Sequence, residues 1–105
     1  MALLLGATAW EWQGARAAAP ARAHTVTIEA LRYVPSPLEV RKGDTIVWRN
    51  KDPFPHTVTT DDHMIDSGEI GAGKSWTYKA NRVGEFSYVC AFHSTMKGTL
   101  IVREK

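Results

Sequence analysis

One cysteine, Cys90, is all that the 105-residue chain holds. A single thiol excludes an internal disulfide and any dithiol redox chemistry. Long apolar runs are missing as well. The longest, residues 1–10, falls well short of the ~20 residues that cross a bilayer as a helix, so stable membrane insertion is not expected. No field of one charge sign is present. The 13 Lys and Arg face 11 Asp and Glu, scattered singly as on an ordinary solvated surface, which argues against nucleic acid as a partner. Internal repeats and low-complexity stretches are lacking too, and beyond the N-terminal leader no segment carries a convincing helical period.

What is there begins with an apolar and then Ala-rich N-terminus ending Ala21-Arg22-Ala23. Residues 1–23 read as an export signal or disordered leader with an A-x-A cleavage site, and residues 24–105 as the folded domain, periplasmic or otherwise exported. The signal is irregular, with no Lys or Arg ahead of the apolar run and Glu11 close behind it. An unpaired thiol is a liability in an exported protein unless something occupies it, and a metal ion would.

Period-two alternation dominates the rest. Residues 24–34 read as one strand, with Val26 and Ile28 on one face, ended by Pro35 and Pro37. Leu38 and Val40 open the next, and Lys42-Gly43-Asp44 turns the chain into residues 45–50, where Ile46 and Trp48 share a face. A proline-stiffened loop, Lys51-Asp52-Pro53-Phe54-Pro55, leads to a short strand over residues 56–60. Residues 61–69 form a polar loop anchored by Ile65. Strands over residues 75–80, 85–90 and 99–103 complete the chain. Short strands at near-regular spacing predict an all-β fold, an antiparallel Greek-key sandwich. Trp48, Trp76, Phe86 and Leu100 are the expected core, and the two tryptophans are read as packing residues rather than an electron relay.

The chemistry concentrates in Cys90-Ala91-Phe92-His93-Ser94-Thr95-Met96. Thiol, imidazole and thioether recur at three-residue spacing between two strands. If Phe86 and Tyr88 face inward, Cys90 does too, and the following loop must curl over its sulfur. With His56 as a second imidazole, the set has two His, one Cys and a weak thioether, the donors of a blue-copper site. The expected ligands are therefore His56, Cys90, His93 and Met96, holding one type 1 copper ion. Structural zinc sites favour paired Cys or His motifs instead. His63 and Met64 read as a polar loop.

These residues are similar to those of the cupredoxins, the family of plastocyanin, pseudoazurin and amicyanin. Pro55-His56 and Cys90-x-x-His93-x-x-Met96 carry the resemblance, supported by Asp66-Ser67-Gly68 and by Gly84-Glu85-Phe86-Ser87-Tyr88-Val89-Cys90. Two residues between His93 and Met96 match the short amicyanin loop. The resemblance implies electron transport rather than enzymatic activity, by a monomer that meets redox protein donors and acceptors transiently. Departures point to outer residues. Thr57 stands where the relatives usually carry Asn, with its N–H expected on the Cys90 sulfur and its side chain expected to tether the ligand loop less firmly. Asn50 is a candidate brace between the loops. Phe92 replaces the amicyanin proline and so offers a second N–H to the thiolate. Partner docking is expected over the edge of His93, framed by Phe54, Pro55, Ala91 and Phe92.

Two other readings remain. A copper chaperone or store would use exchangeable Met, His and Cys donors. A copper oxygenase would use the amine and imidazole of His24 freed by cleavage, but needs a second His nearby.

Overall fold

The computed structural model describes residues 20–104, which form two four-stranded sheets and, among the described residues, no helix. The first sheet is built from β1 (Ala23–Glu29), β2 (Arg32–Val34), β4 (Thr45–Asn50) and β6 (Ser75–Lys79), in the order β2-β1-β4-β6. The second holds β3 (Leu38–Arg41), β5 (Thr59–Thr60), β7 (Gly84–Cys90) and β8 (His93–Arg103), in the order β3-β8-β7-β5. The sandwich is as expected, and its pairing is mixed. β1 runs parallel to β4 and β3 parallel to β8, while the other pairs are antiparallel. Most of the export-signal reading lies outside the described residues. Arg22 and Ala23 are already tied to β4, where Thr45 donates to the Arg22 carbonyl and Ala23 lies opposite Thr45.

Alternation explains which faces close on each other. Val26 and Ile28 of β1, Ile46 and Trp48 of β4, and Leu100 and Val102 of β8 are all buried in one core. Trp48 and Leu100 hold the centre as expected. Trp76 and Phe86 do not: each is only partly buried, packed against the core from the edge strand β6 and from β7. The β5 strand covers only Tyr88 and Val89 of β7, which leaves the Phe86 stretch without a strand on that side.

Two strand boundaries differ from expectation. Residues 24–34 are a hairpin, since Ala30 and Leu31 both take positive φ (56° and 62°) and fold β2 back on β1. Neither residue favours that region, which costs an L-residue ~1–2 kcal/mol. The Asp52 carboxylate offsets the cost by accepting both amides, at 2.7 and 3.0 Å. The last strand starts at His93, earlier than the expected residue 99. Cys90 pairs with His93 across the two-residue turn Ala91-Phe92, whereas Val89 pairs with Lys97. Ser94, Thr95 and Met96 therefore form a bulge, and bulges re-aim side chains. At the other end of the proposed short strand, His56 makes only an isolated bridge to Ile70, and β5 proper is Thr59 and Thr60.

Candidate metal centre

The end of the sandwich beside the Ala30-Leu31 turn gathers His56, Cys90 and His93, with one ligand atom of each within 4.8 Å of the others. His56 and Cys90 are fully buried and His93 is exposed. Their elements explain the convergence. Cys90 ends β7 on the inward face shared with Tyr88. His93 opens β8 directly opposite it. His56 is held by reciprocal backbone bonds with Ile70, 3.1 and 2.8 Å long. Met96 is buried in the core cluster, in the bulge that follows His93.

His56 is oriented by a carboxylate. Its Nε2 lies 2.8 Å from Asp52 Oδ2, and its Nδ1 lies 3.6 Å from Cys90 Sγ. Burial opposes ionisation of Asp52, but the N–H groups of Leu31 and Ala30 and the His56 ring outweigh it and hold the carboxyl below its ordinary range. An ionised carboxylate only accepts, so Nε2 carries the hydrogen and the Nδ1 lone pair faces the sulfur. A carboxylate behind a ligating imidazole fixes its tautomer and strengthens it as a donor. Sequence reasoning missed Asp52, although its place four residues before His56 was a usable signal.

The outer residues sort as follows. The Thr57 N–H donates to Cys90 Sγ at 3.4 Å, as expected. Its side chain ties the ligand loop, since Oγ1 accepts the Ala91 N–H at 2.8 Å and sits 2.8 Å from Thr59 Oγ1. The bond to Ala91 is the tether expected to be less firm than an asparagine's. Asn50 braces a different pair of segments from the one expected. Its Nδ2 donates to the carbonyls of Phe54 and Ile70, and its Oδ1 accepts the Asp52 N–H. It therefore ties the His56 loop to the stretch before β6 and leaves the Cys90 loop to Thr57. The Phe92 N–H is not among the donors to the Cys90 sulfur; the protein groups bonded to Sγ are the Thr57 amide and the His56 ring.

Phe54 lies against both imidazoles, with ring centroids 5.3 Å from His56 and 6.1 Å from His93. Its ring is 41% exposed and Phe92 is 53% exposed, so His93 emerges beside an apolar rim. His24 is elsewhere: its Nε2 is bound to Asp44 Oδ2 at 2.9 Å, at the end of β1 away from Asp52. His63 and Met64 are exposed, and His63 pairs with Asp66 at 3.1 Å.

The donor set itself decides what fits. One thiol, two imidazoles and a buried thioether nearby are soft and nitrogenous, suited to copper and poorly suited to hard cations that need oxygen. Comparison with known proteins agrees. A family profile described as a cupredoxin-like domain matches residues 1–102. Plastocyanin from Scenedesmus fuscus is 30% identical over 87 residues, covering 70% of this chain and 89% of that protein. Amicyanin from Paracoccus versutus is 29% identical over 93 residues, covering 84% and 70%. Among solved structures, a reduced-state amicyanin variant superposes with a TM-score of 0.71 at 26% identity, covering 77% of this chain and 82% of that one. A copper-containing nitrite reductase from Thermus scotoductus gives 0.73 at 25% identity over 79% of this chain but only 23% of its own.

Proposed function

This chain belongs to the cupredoxin-like family, and on that premise we propose that it is a type 1 copper electron carrier, exchanging single electrons with transient redox partners outside the cytoplasm. His56, Cys90 and His93 are the proposed strong ligands, and Met96 would be the weak one. The observation that carries the reading is the asymmetry of the group: two donors fully buried and facing each other, and a third, His93, open to solvent within 4.8 Å of both. When bound, copper supplies a one-electron couple shared with the thiolate sulfur.

The chain's own residues do the rest. Cys90 loses its proton to bind, and the Thr57 N–H remains to accept charge left on sulfur. Asp52 and Thr57 fix His56 and the loop turn from opposite sides, so bonds made by the protein itself hold the donors. A preset cage changes little between oxidation states, which favours fast electron exchange. His93, rimmed by Phe54, Pro55, Ala91 and Phe92, is the proposed point of contact. Such a small apolar rim suits a partner that binds and leaves quickly. The protein is proposed to act as a monomer, with residues 1–23 directing export and the domain starting near residue 24. No helix among the described residues is long and apolar enough to cross a membrane.

Electron shuttling is separated from copper delivery by kinetics. A carrier cycles between oxidation states with small reductants and oxidants while retaining its metal against a mild Cu(I) chelator. Rapid loss of Cu(I) to that chelator, without reversible cycling, would instead support the chaperone or storage reading. Protein hydrogen bonds from Asn50, Asp52 and Thr57 brace the two ligand segments, and this favours the carrier.

A further inference from the structure

Beside the metal centre begins a continuous row of aromatic rings that crosses the core, through Tyr88 of the facing sheet, to the β6 edge. Tyr33 and Tyr88 meet edge to face with centroids 4.7 Å apart. Tyr88 and Trp48 are 5.7 Å apart, Trp48 and Trp76 5.6 Å, and Trp76 and Tyr78 stack at 5.9 Å. The inner end is bonded to the site. The Tyr33 hydroxyl donates to the carbonyl of Thr57, the residue whose N–H donates to Cys90 Sγ. The outer end reaches the surface, since Trp76 and Tyr78 are only partly buried on the edge strand β6.

We propose that Trp76 and Trp48 form a path along which one-electron oxidising equivalents arriving at the β6 edge are drained into the reduced metal centre. The proposal rests on the copper reading above and assigns a second role to residues otherwise explained by packing. Indole and phenol are among the side chains that give up one electron most readily. Here the indoles are the stations. Trp48 Nε1–H donates to the Tyr88 hydroxyl at 3.2 Å, a group too weakly basic to take its proton. A phenol releases its electron readily only with its proton, and neither buried tyrosine faces a base. The Tyr33 hydroxyl donates to a carbonyl, and the Tyr88 hydroxyl receives the Trp48 Nε1–H. The tyrosines therefore bridge the indoles to the Thr57–Cys90 contact without holding charge.

The steps balance without any bond being made or broken. An oxygen-derived or photogenerated one-electron oxidant takes an electron from Trp76, leaving its radical cation. That cation takes an electron from Trp48, and a reduced copper ion held by Cys90 would return one electron to Trp48, becoming oxidised and leaving two restored indoles. No proton moves. Because an indole cation is a far stronger oxidant than a cupric thiolate, ordinary carrier electrons at His93 do not enter this row. The two routes stay separate.

The test uses copper(I)-loaded protein in which the metal occupies the Cys90 thiol. A ruthenium polypyridyl photosensitiser is tethered at Lys79→Cys, an exposed position beside Tyr78. After flash oxidation of the label, the cupric thiolate band is followed in time. We expect its rise to slow by an order of magnitude or more when Trp76→Phe is added, and the indole radical signal to live correspondingly longer in copper-free protein. Trp76 is only partly buried, so Phe there keeps the fold; Trp48→Phe is a second variant expected to slow the rise equally. An unchanged rise in Trp76→Phe, or an indole radical whose lifetime ignores the metal, overturns the path. Ferricyanide separates the two claims. If it develops the band while the flash shows no dependence on Trp76, the path fails and the copper site stands. If it develops no band, the copper site fails and the path with it.

Discussion

Asp52 and His56 are joined by a 2.8 Å contact between Oδ2 and Nε2, and the same carboxylate accepts the Ala30 and Leu31 amides. One buried side chain thus holds a metal-ligand tautomer and a surface hairpin turn together. Replacing it separates the two tasks. Asp52→Ala leaves both turn amides unpaired, for which we expect a loss of about 1–3 kcal/mol in the stability of the apo protein. Asp52→Asn keeps one of the two turn acceptors, places an NH2 donor where the other stood, and removes the charge behind His56. The imidazole then donates less strongly to Cu(II), and the midpoint potential rises. Denaturant melts read the first effect and voltammetry the second. An Asn variant with unchanged potential would show that the carboxylate serves only the turn.

Thr57→Val tests the loop tether. Valine keeps the volume and the backbone N–H that meets Cys90, but it deprives the part-buried Ala91 N–H of its 2.8 Å acceptor and the Thr59 hydroxyl of its 2.8 Å partner. A loss of about 1–3 kcal/mol in stability follows from these two lost bonds. Hydrogen exchange at Ala91 should accelerate, and equal protection in the variant would show that the hydroxyl does not hold the turn.

Much of this was legible locally, and the exceptions have a common cause. Alternation around Val26, Ile46, Trp48 and Leu100 was enough to put them inside, and the Cys90–His93 spacing was enough to mark two members of the cluster that His56 completes. Ala30-Leu31 carries no turn signal. Its hairpin depends on a carboxylate more than twenty residues downstream, so no local window contains the reason. The early start of β8 depends likewise on pairing with β7, which sequence alone read as a loop. Trp76 looked like core because its alternation is that of Trp48, its cross-strand partner. Its exposure follows from β6 lying at a sheet edge. The partner of the Thr57 hydroxyl was not legible, because the hydroxyl reaches the Ala91 amide only where the backbones are this close.

Gly98 is a close-approach position. It lies opposite Tyr88, and a Cβ there would come within 2.4–2.6 Å of that ring. Gly98→Ala must displace a ring bonded to Trp48 and packed on Tyr33, so we expect destabilisation of about 1–3 kcal/mol. A thermal melt superimposable on the parent's would contradict the packing described.

Acid sensitivity should report on Asp44. In protein that retains Arg22, the Asp44 carboxylate accepts the Arg22 N–H, the His24 ring and the Arg41 N–H, which hold it at about 2 against an ordinary 3.8. A depressed folded pKa contributes stability that is complete above the unfolded value. That contribution drains away as pH falls from about 3.8 towards 2. Asp44→Asn should therefore be less stable at neutral pH and lose less on acidification through that window. Parallel stability curves for the two proteins would remove Asp44 from the account.

The central claim is that His56, Cys90, His93 and Met96 hold one copper ion through a thiolate. The most direct measurement is to add Cu(II) to the purified apo protein and record its visible spectrum alongside Cys90→Ser. The account predicts an intense band towards the red end that saturates at one equivalent and is abolished in the serine variant. A colourless product, or a band that survives loss of the thiol, would contradict it.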